Sequence, residues 1–134
     1  MNSPKIMVVE DKAIIALDIR RFLASKGYNN TTFYLNGSDA LKAIKNNKPD
    51  LALLDVILPD EISGIDIAKE LKRLSVPFIF ISALSNPNHQ KAVINLRPEA
   101  IFHKPVNLNE VLISIQNIFT KNNADINSAS SLLN

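Results

Sequence analysis

Cysteine is absent from all 134 residues, which excludes disulfides, thiol nucleophiles and cysteine-ligated zinc and suits a reducing compartment. Glycine is nearly as scarce, at three residues. No G-x-x-x-x-G-K-[ST] loop occurs, so nucleotide hydrolysis of the phosphate-loop type is excluded. No apolar run approaches the roughly 20 residues of a membrane-spanning helix. The opening Met1-Asn2-Ser3-Pro4 lacks the charged and apolar regions of a signal peptide. The expectation is a cytoplasmic protein with no membrane partner. An excess of one charge is also missing: the net charge is +2 with 21% charged residues, and the lysines are scattered rather than gathered into a stripe. No direct binding of nucleic acid is expected.

What is present is a hydrophobic content of 46%, enough at this length for one globular domain with a real core. The apolar residues fall in short runs that end in polar groups. Leu51-Ala52-Leu53-Leu54, bounded by Pro49 and Pro59, reads as a strand buried on both faces and closes in Asp55. Lys5-Ile6-Met7-Val8-Val9 is a second such strand and ends in Glu10 and Asp11. Pro77-Phe78-Ile79-Phe80-Ile81 ends in Ser82, and Ala100-Ile101-Phe102-His103 ends in Lys104-Pro105. Open α/β sheets keep their chemistry outside the carboxyl ends of their strands. Glu10, Asp11, Asp55, Ser82 and Lys104 are therefore the candidate site residues.

Helical patterns alternate with these strands, the organisation of parallel βαβ units. Ile15, Ile19, Phe22 and Leu23 fall at helical spacing before a stop at Gly27. Thr31 to Tyr34 is a weak second strand, and Asn36-Gly37-Ser38-Asp39 offers a turn and helix start ahead of Leu41 and Ile44. An acid-rich loop after Asp55 leads to Gly64 and a helix carrying Ile65, Ala68 and Leu71. Ser85-Asn86-Pro87 starts a short fourth helix that Arg97-Pro98 must end. Asn107 can cap a last helix whose Val111, Leu112, Ile115, Ile118 and Phe119 form the clearest amphipathic stripe. The count is five βα units. Residues 1–121 are expected to form the domain, and 122–134, rich in Asn, Ser and Ala without an apolar face, a polar tail or the start of a linker.

Carboxylates crowded at one rim repel each other and rise in pKa unless a cation neutralises them. A hard divalent ion held by carboxylates, a backbone carbonyl and waters suits such a site, and magnesium prefers that arrangement. A carboxylate beside the ion can attack phosphorus to give an aspartyl phosphate. A lysine ammonium and a small hydroxyl can then receive the phosphoryl oxygens. Lys104 and Ser82 are groups of those types.

Taken in order, Val8-Val9-Glu10-Asp11, Leu53-Leu54-Asp55 with Pro59, Ile81-Ser82-Ala83 and Lys104-Pro105 make the chain resemble a response-regulator receiver domain of two-component signalling, from Lys5 to about Lys121. The resemblance implies an α/β, flavodoxin-like (βα)5 three-layer sandwich with a parallel sheet of strand order 2-1-3-4-5. It implies Asp55 as phosphoacceptor. Glu10, Asp11, Asp55 and the backbone carbonyl of Ile57 would hold Mg2+, Ser82 would report the phosphoryl group, Lys104 would bind it, and Pro105 would follow a cis peptide bond. Such a domain is not an enzyme in its own right but assists its own phosphorylation and dephosphorylation. The implied donor is a sensor histidine kinase or phosphotransfer protein. The output protein or fused domain is left open, and the fourth helix, last strand and last helix form the implied partner or homodimer face.

The chain departs from the common receiver pattern at three places. Asp60-Glu61-Ile62-Ser63 holds an extra residue before Gly64, Arg97-Pro98-Glu99 stands where Gly-Ala is commoner, and Ile101 occupies the usual aromatic switch position. Phe102, adjacent, should point to the opposite face. Apolar Ile57 and Leu84 would flank the site and exclude attacking water, which implies slow self-dephosphorylation. Blander readings stay open: Glu10 and Asp11 could cap the first helix, Asp55 could be a strand-end cap, Ser82 a loop hydroxyl and Lys104 a solvated charge. Among other functions, an FMN-binding flavodoxin would need a hydroxyl- and glycine-rich loop where Glu10-Asp11-Lys12 stands. An aspartyl phosphatase would need a second acid where Ile57 stands. The alternative within the resemblance is a receiver-like interaction module that works without phosphorylation.

Overall fold

The structure, a computed structural model, describes residues 3–83 and 85–133. Strands and helices alternate without exception: β1 Ile6–Val9, α1 Ala13–Ser25, β2 Thr31–Tyr34, α2 Gly37–Asn46, β3 Leu51–Leu54, α3 Gly64–Arg73, β4 Phe78–Ser82, α4 Pro87–Asn95, β5 Ala100–His103 and α5 Leu108–Leu133. The five strands form one parallel sheet in the order β2-β1-β3-β4-β5.

Why the central strands read as unbroken apolar runs is clear from their two faces. Met7, Val9, Ala52, Leu54, Phe78 and Phe80 pack beneath Ala40 and Ile44 of α2, Ile67, Ala68 and Leu71 of α3, and Val93 of α4. Their neighbours Ile6, Val8, Leu51, Leu53, Ile79 and Ile81 pack against Ile19 and Leu23 of α1 and Val111, Ile115 and Ile118 of α5. Successive side chains alternate across a strand, so helices on both sides demand apolar residues throughout β1 and β3 and in β4 as far as Ile81. Each fully buried Leu, Ile or Phe contributes about 1.5–3 kcal/mol. The edge strand β5 is only half-buried, because among the described residues its outer side carries no further strand. Ile101 joins the α4 layer and Phe102 the α5 layer, the opposite faces expected of neighbours.

Helix starts follow their local chemistry. The Asn36 side chain accepts from the Asp39 N–H, Ser63 and Asp66 form a reciprocal capping box at α3, and Asn86 caps α4 with Pro87 just inside it. Asn107 accepts from the Asn109 N–H at the start of α5 at 2.9 Å. After α1 the chain turns at Gly27 with φ +94°, a left-handed conformation that costs glycine little. One element runs further than its composition suggests. From residue 122 the chain, expected as a polar tail, continues the backbone of α5 to Leu133, since adding a residue to an existing helix requires no apolar stripe. Among the described residues, no helix is long and apolar enough to cross a membrane.

Candidate functional site

The parallel ladder runs one residue beyond β1, β3 and β5 and sets the site groups side by side. The Glu10 N–H donates to the Tyr34 carbonyl at 3.1 Å, the Asp55 N–H to Val9 at 2.9 Å and the Lys104 N–H to Ser82 at 3.1 Å. Four consecutive strands of the sheet thereby bring Glu10, Asp55, Ser82 and Lys104 to the same carboxyl edge. A carboxyl-edge position explains how Glu10, Asp55 and Ser82 are buried yet polar, at 3%, 7% and 3% exposure.

Asp55 is engaged on both oxygens. Its Oδ1 accepts from Ser82 Oγ at 3.1 Å and from the Ile57 N–H at 3.3 Å, while Oδ2 accepts from Lys104 Nζ at 2.8 Å. The same ammonium donates to Glu10 Oε2 at 2.7 Å. Glu10 Oε1 accepts from the Lys12 N–H at 3.2 Å. Lys12 is the N-cap position itself, and no acid lies in the first turn of α1, so neither Glu10 nor Asp11 is a first-turn acid of this helix. Glu10, Asp11 and Asp55 each place a carboxylate oxygen within 4.8 Å of the others. Three hard oxygen donors so close suit a divalent cation such as Mg2+, and this acidic cluster could hold one. Asp11 is exposed, on the open side of the cluster.

Burial raises the pKa of Glu10, and the negative charge of Asp55 raises it further, against the lowering effect of the bonds from Lys104 and Lys12. For Lys104, burial favours the neutral amine, but the bonds and charges of Asp55 and Glu10 outweigh it and hold its pKa above the ordinary value. A raised folded-state pKa means that the stability Lys104 contributes is fully present below its unfolded pKa of about 10.4 and is lost as pH rises through the folded value. Wild type is expected to lose more thermal stability than Lys104→Met on going from about pH 9 to 11. Parallel pH profiles for the two proteins would show that the ammonium contributes nothing.

The loop after Asp55 has a steric requirement that its sequence signals only as a lone glycine. A Cβ on Gly64 would overlap the backbone carbonyl oxygen of Asp55, and the Gly64 N–H donates to the Val56 carbonyl at 2.8 Å. Ile57, whose carbonyl was expected among the metal ligands, follows Asp55 by two residues and is 61% exposed. Leu84, the other expected apolar neighbour, lies outside the described residues. The Lys104–Pro105 bond is cis. Ile101 lines a cleft of about 240 Å³ with Gln90, Val93, Ile94 and His103. Asp60 bonds to the start of α2, a contact that the residue sequence did not announce.

A flavodoxin-like sandwich carrying an acidic cluster, a hydroxyl and a lysine at its carboxyl edge has the architecture of a receiver domain. The chain belongs to the response regulator receiver domain family, whose model matches residues 6–116. It is 29% identical over 118 residues to the response regulator SaeR of Staphylococcus aureus, covering 87% of this chain and 50% of that protein. The chain thus spans about half the length of that curated relative. Among solved structures, it superposes on a signal receiver domain of a modulated diguanylate cyclase from Desulfovibrio desulfuricans with a TM-score of 0.83, at 26% identity over 92% of this chain and 99% of that one. A CheY-like receiver domain protein from Methanospirillum hungatei shares the fold with a TM-score of 0.84, at 21% identity over 92% and 99% of the two chains. Receiver domains are signalling rather than enzymatic domains, and they work with histidine kinases and output domains.

Proposed function

We propose that this receiver accepts a phosphoryl group on Asp55 from the phosphohistidine of a sensor kinase or phosphotransfer protein, and that the modification changes the surface it offers a partner. The observation that carries the reading is the buried Asp55 carboxylate, bonded at once to Ser82 and Lys104 and grouped with Glu10 and Asp11. A carboxylate oxygen of Asp55 attacks phosphorus, the phosphorus–nitrogen bond breaks, and the imidazole leaves with its electron pair. Lys104 Nζ, already between Glu10 and Asp55, receives the added negative charge. The Ser82 hydroxyl, already donating to Asp55 Oδ1, turns to a phosphoryl oxygen and draws the following loop with it. Bound Mg2+, held by Glu10, Asp11, Asp55 and the Ile57 carbonyl, would neutralise charge during the transfer.

Residues 1–121 are the receiver unit in this reading, and 122–134 the segment leading away from it. The face of α4, β5 and α5 carries the readout to an output protein or a second copy. A phosphorylation-independent interaction module is the second reading, favoured by one observation: Ile101 stands at the α4–β5 cleft where an aromatic ring would couple to Ser82. Intact mass after incubation with a small acyl phosphate, with and without Mg2+, separates the two. The expected result is a single phosphoryl adduct that requires Mg2+ and maps to the peptide containing Asp55. No adduct in a protein shown to be folded would overturn the first reading in favour of the second.

A further inference from the structure

Asp60 lies on the protein surface, yet both of its carboxylate oxygens are committed. Oδ1 accepts the Gly37 N–H at 3.0 Å and Oδ2 the Ser38 N–H at 2.8 Å. These are the first two N–H groups of α2, which have no acceptor within their own helix. Asn36, the local cap, serves Asp39 instead. The long-range carboxylate therefore supplies what the local cap does not, in charge-assisted bonds at the positive end of the helix dipole. A second contact joins the same two segments. A Cβ on Gly37 would overlap the backbone carbonyl and side chain of Ile62, so the loop lies directly on the start of α2. With the Gly64 N–H bonded to the Val56 carbonyl, the loop from Val56 to Gly64 is closed at its base and pinned at its middle.

We propose that Asp60 is a positioning residue for the phosphoacceptor site: by latching this loop to α2, it fixes the backbone that carries Ile57 beside Asp55. The inference rests on the proposed metal-dependent phosphoacceptor function, and it assigns a task to one residue of the stretch Asp60-Glu61-Ile62-Ser63, which is one residue longer than the common receiver spacing. Asp60 touches neither Asp55 nor Lys104 among the described contacts, so its effect passes through the backbone of residues 57–63. Groups hydrogen-bonded directly to metal ligands change metal affinity by about 10- to 100-fold, and Asp60, acting one step further out through the backbone, is expected at the low end of that range.

The test compares Mg2+ affinity by calorimetric titration in wild type, Asp60→Ala and Asp60→Asn, with amide hydrogen exchange at residues 37–38 and 57–63. Asp60→Ala is expected to weaken Mg2+ binding about tenfold and to speed exchange in both segments. Asp60→Asn, which keeps a neutral acceptor for one of the two N–H groups, recovers part of both effects and tests the inference should the alanine variant fold poorly. A role in stability alone would lower the melting temperature with the Mg2+ affinity of the folded variants unmoved. Affinities indistinguishable from wild type in both variants would overturn the latch and leave the phosphoacceptor reading standing. Absence of Mg2+ binding by wild type itself would overturn both.

Discussion

Asp55→Asn is expected to abolish phosphoryl uptake while leaving the fold intact. The amide is close in size to the carboxylate and its oxygen can still accept from Ser82, while its NH2 group, which cannot accept from Lys104, leaves that ammonium to Glu10. What is lost is the charged oxygen proposed to attack phosphorus, and an amide is no substitute nucleophile. The electrostatic consequence runs in two directions. The Lys104–Asp55 ion pair at 2.8 Å disappears, but so does the Asp55 charge that raises Glu10, and Lys104 keeps its bond to Glu10. These opposed changes leave the expected stability within about 1 kcal/mol of wild type. Intact mass after exposure to an acyl phosphate and Mg2+, beside a denaturant melt, reads both quantities. Stoichiometric labelling of the variant would place the acceptor elsewhere in the chain.

Gly64→Ala should produce the largest loss of stability among the three glycine-to-alanine substitutions of this protein. The new Cβ meets the Asp55 carbonyl oxygen, its carbonyl carbon at 2.8 Å and Val56 Cα at 2.9 Å. All three are backbone atoms, which cannot rotate away as a side chain can. Overpacking costs about 1–3 kcal/mol, and the Gly64 to Val56 hydrogen bond puts about another 1 kcal/mol at risk. A loss on the order of 3 kcal/mol corresponds to a fall in melting temperature on the order of 10 °C for a domain of this size. Because the displaced backbone is that of Asp55, phosphoryl uptake should slow in the fraction that remains folded. A variant within about 1 kcal/mol of wild type would show that the loop relaxes at little cost.

These expectations differ in how far the residues alone announce them. Asp55, Ser82 and Lys104 could be picked out because each closes a short apolar run, and a parallel sheet sends all such ends to one edge. The order of the strands entered through family resemblance, since parallel apolar runs carry no mark of their neighbours. Gly64 was visible as the end of a loop, but the carbonyl that forbids a side chain there belongs to a residue nine positions earlier. Asp60 read as one more loop acid. Its partners, 22 and 23 residues away, leave no local pattern.

By itself, then, the sequence determined the alternation of strands and helices, the two-faced burial of β1, β3 and β4, and the presence of acids, a hydroxyl and a lysine at strand ends. Periodicity and polarity are properties of neighbouring residues, so they survive in one dimension. Only the tertiary structure decided that Lys104 lies between Glu10 and Asp55, that three carboxylates come within 4.8 Å of one another, and that the start of α2 is satisfied by the loop after Asp55. Those pairings join segments far apart in the chain, and they exist only once the sheet has set the strand ends side by side and the helices have packed on its faces.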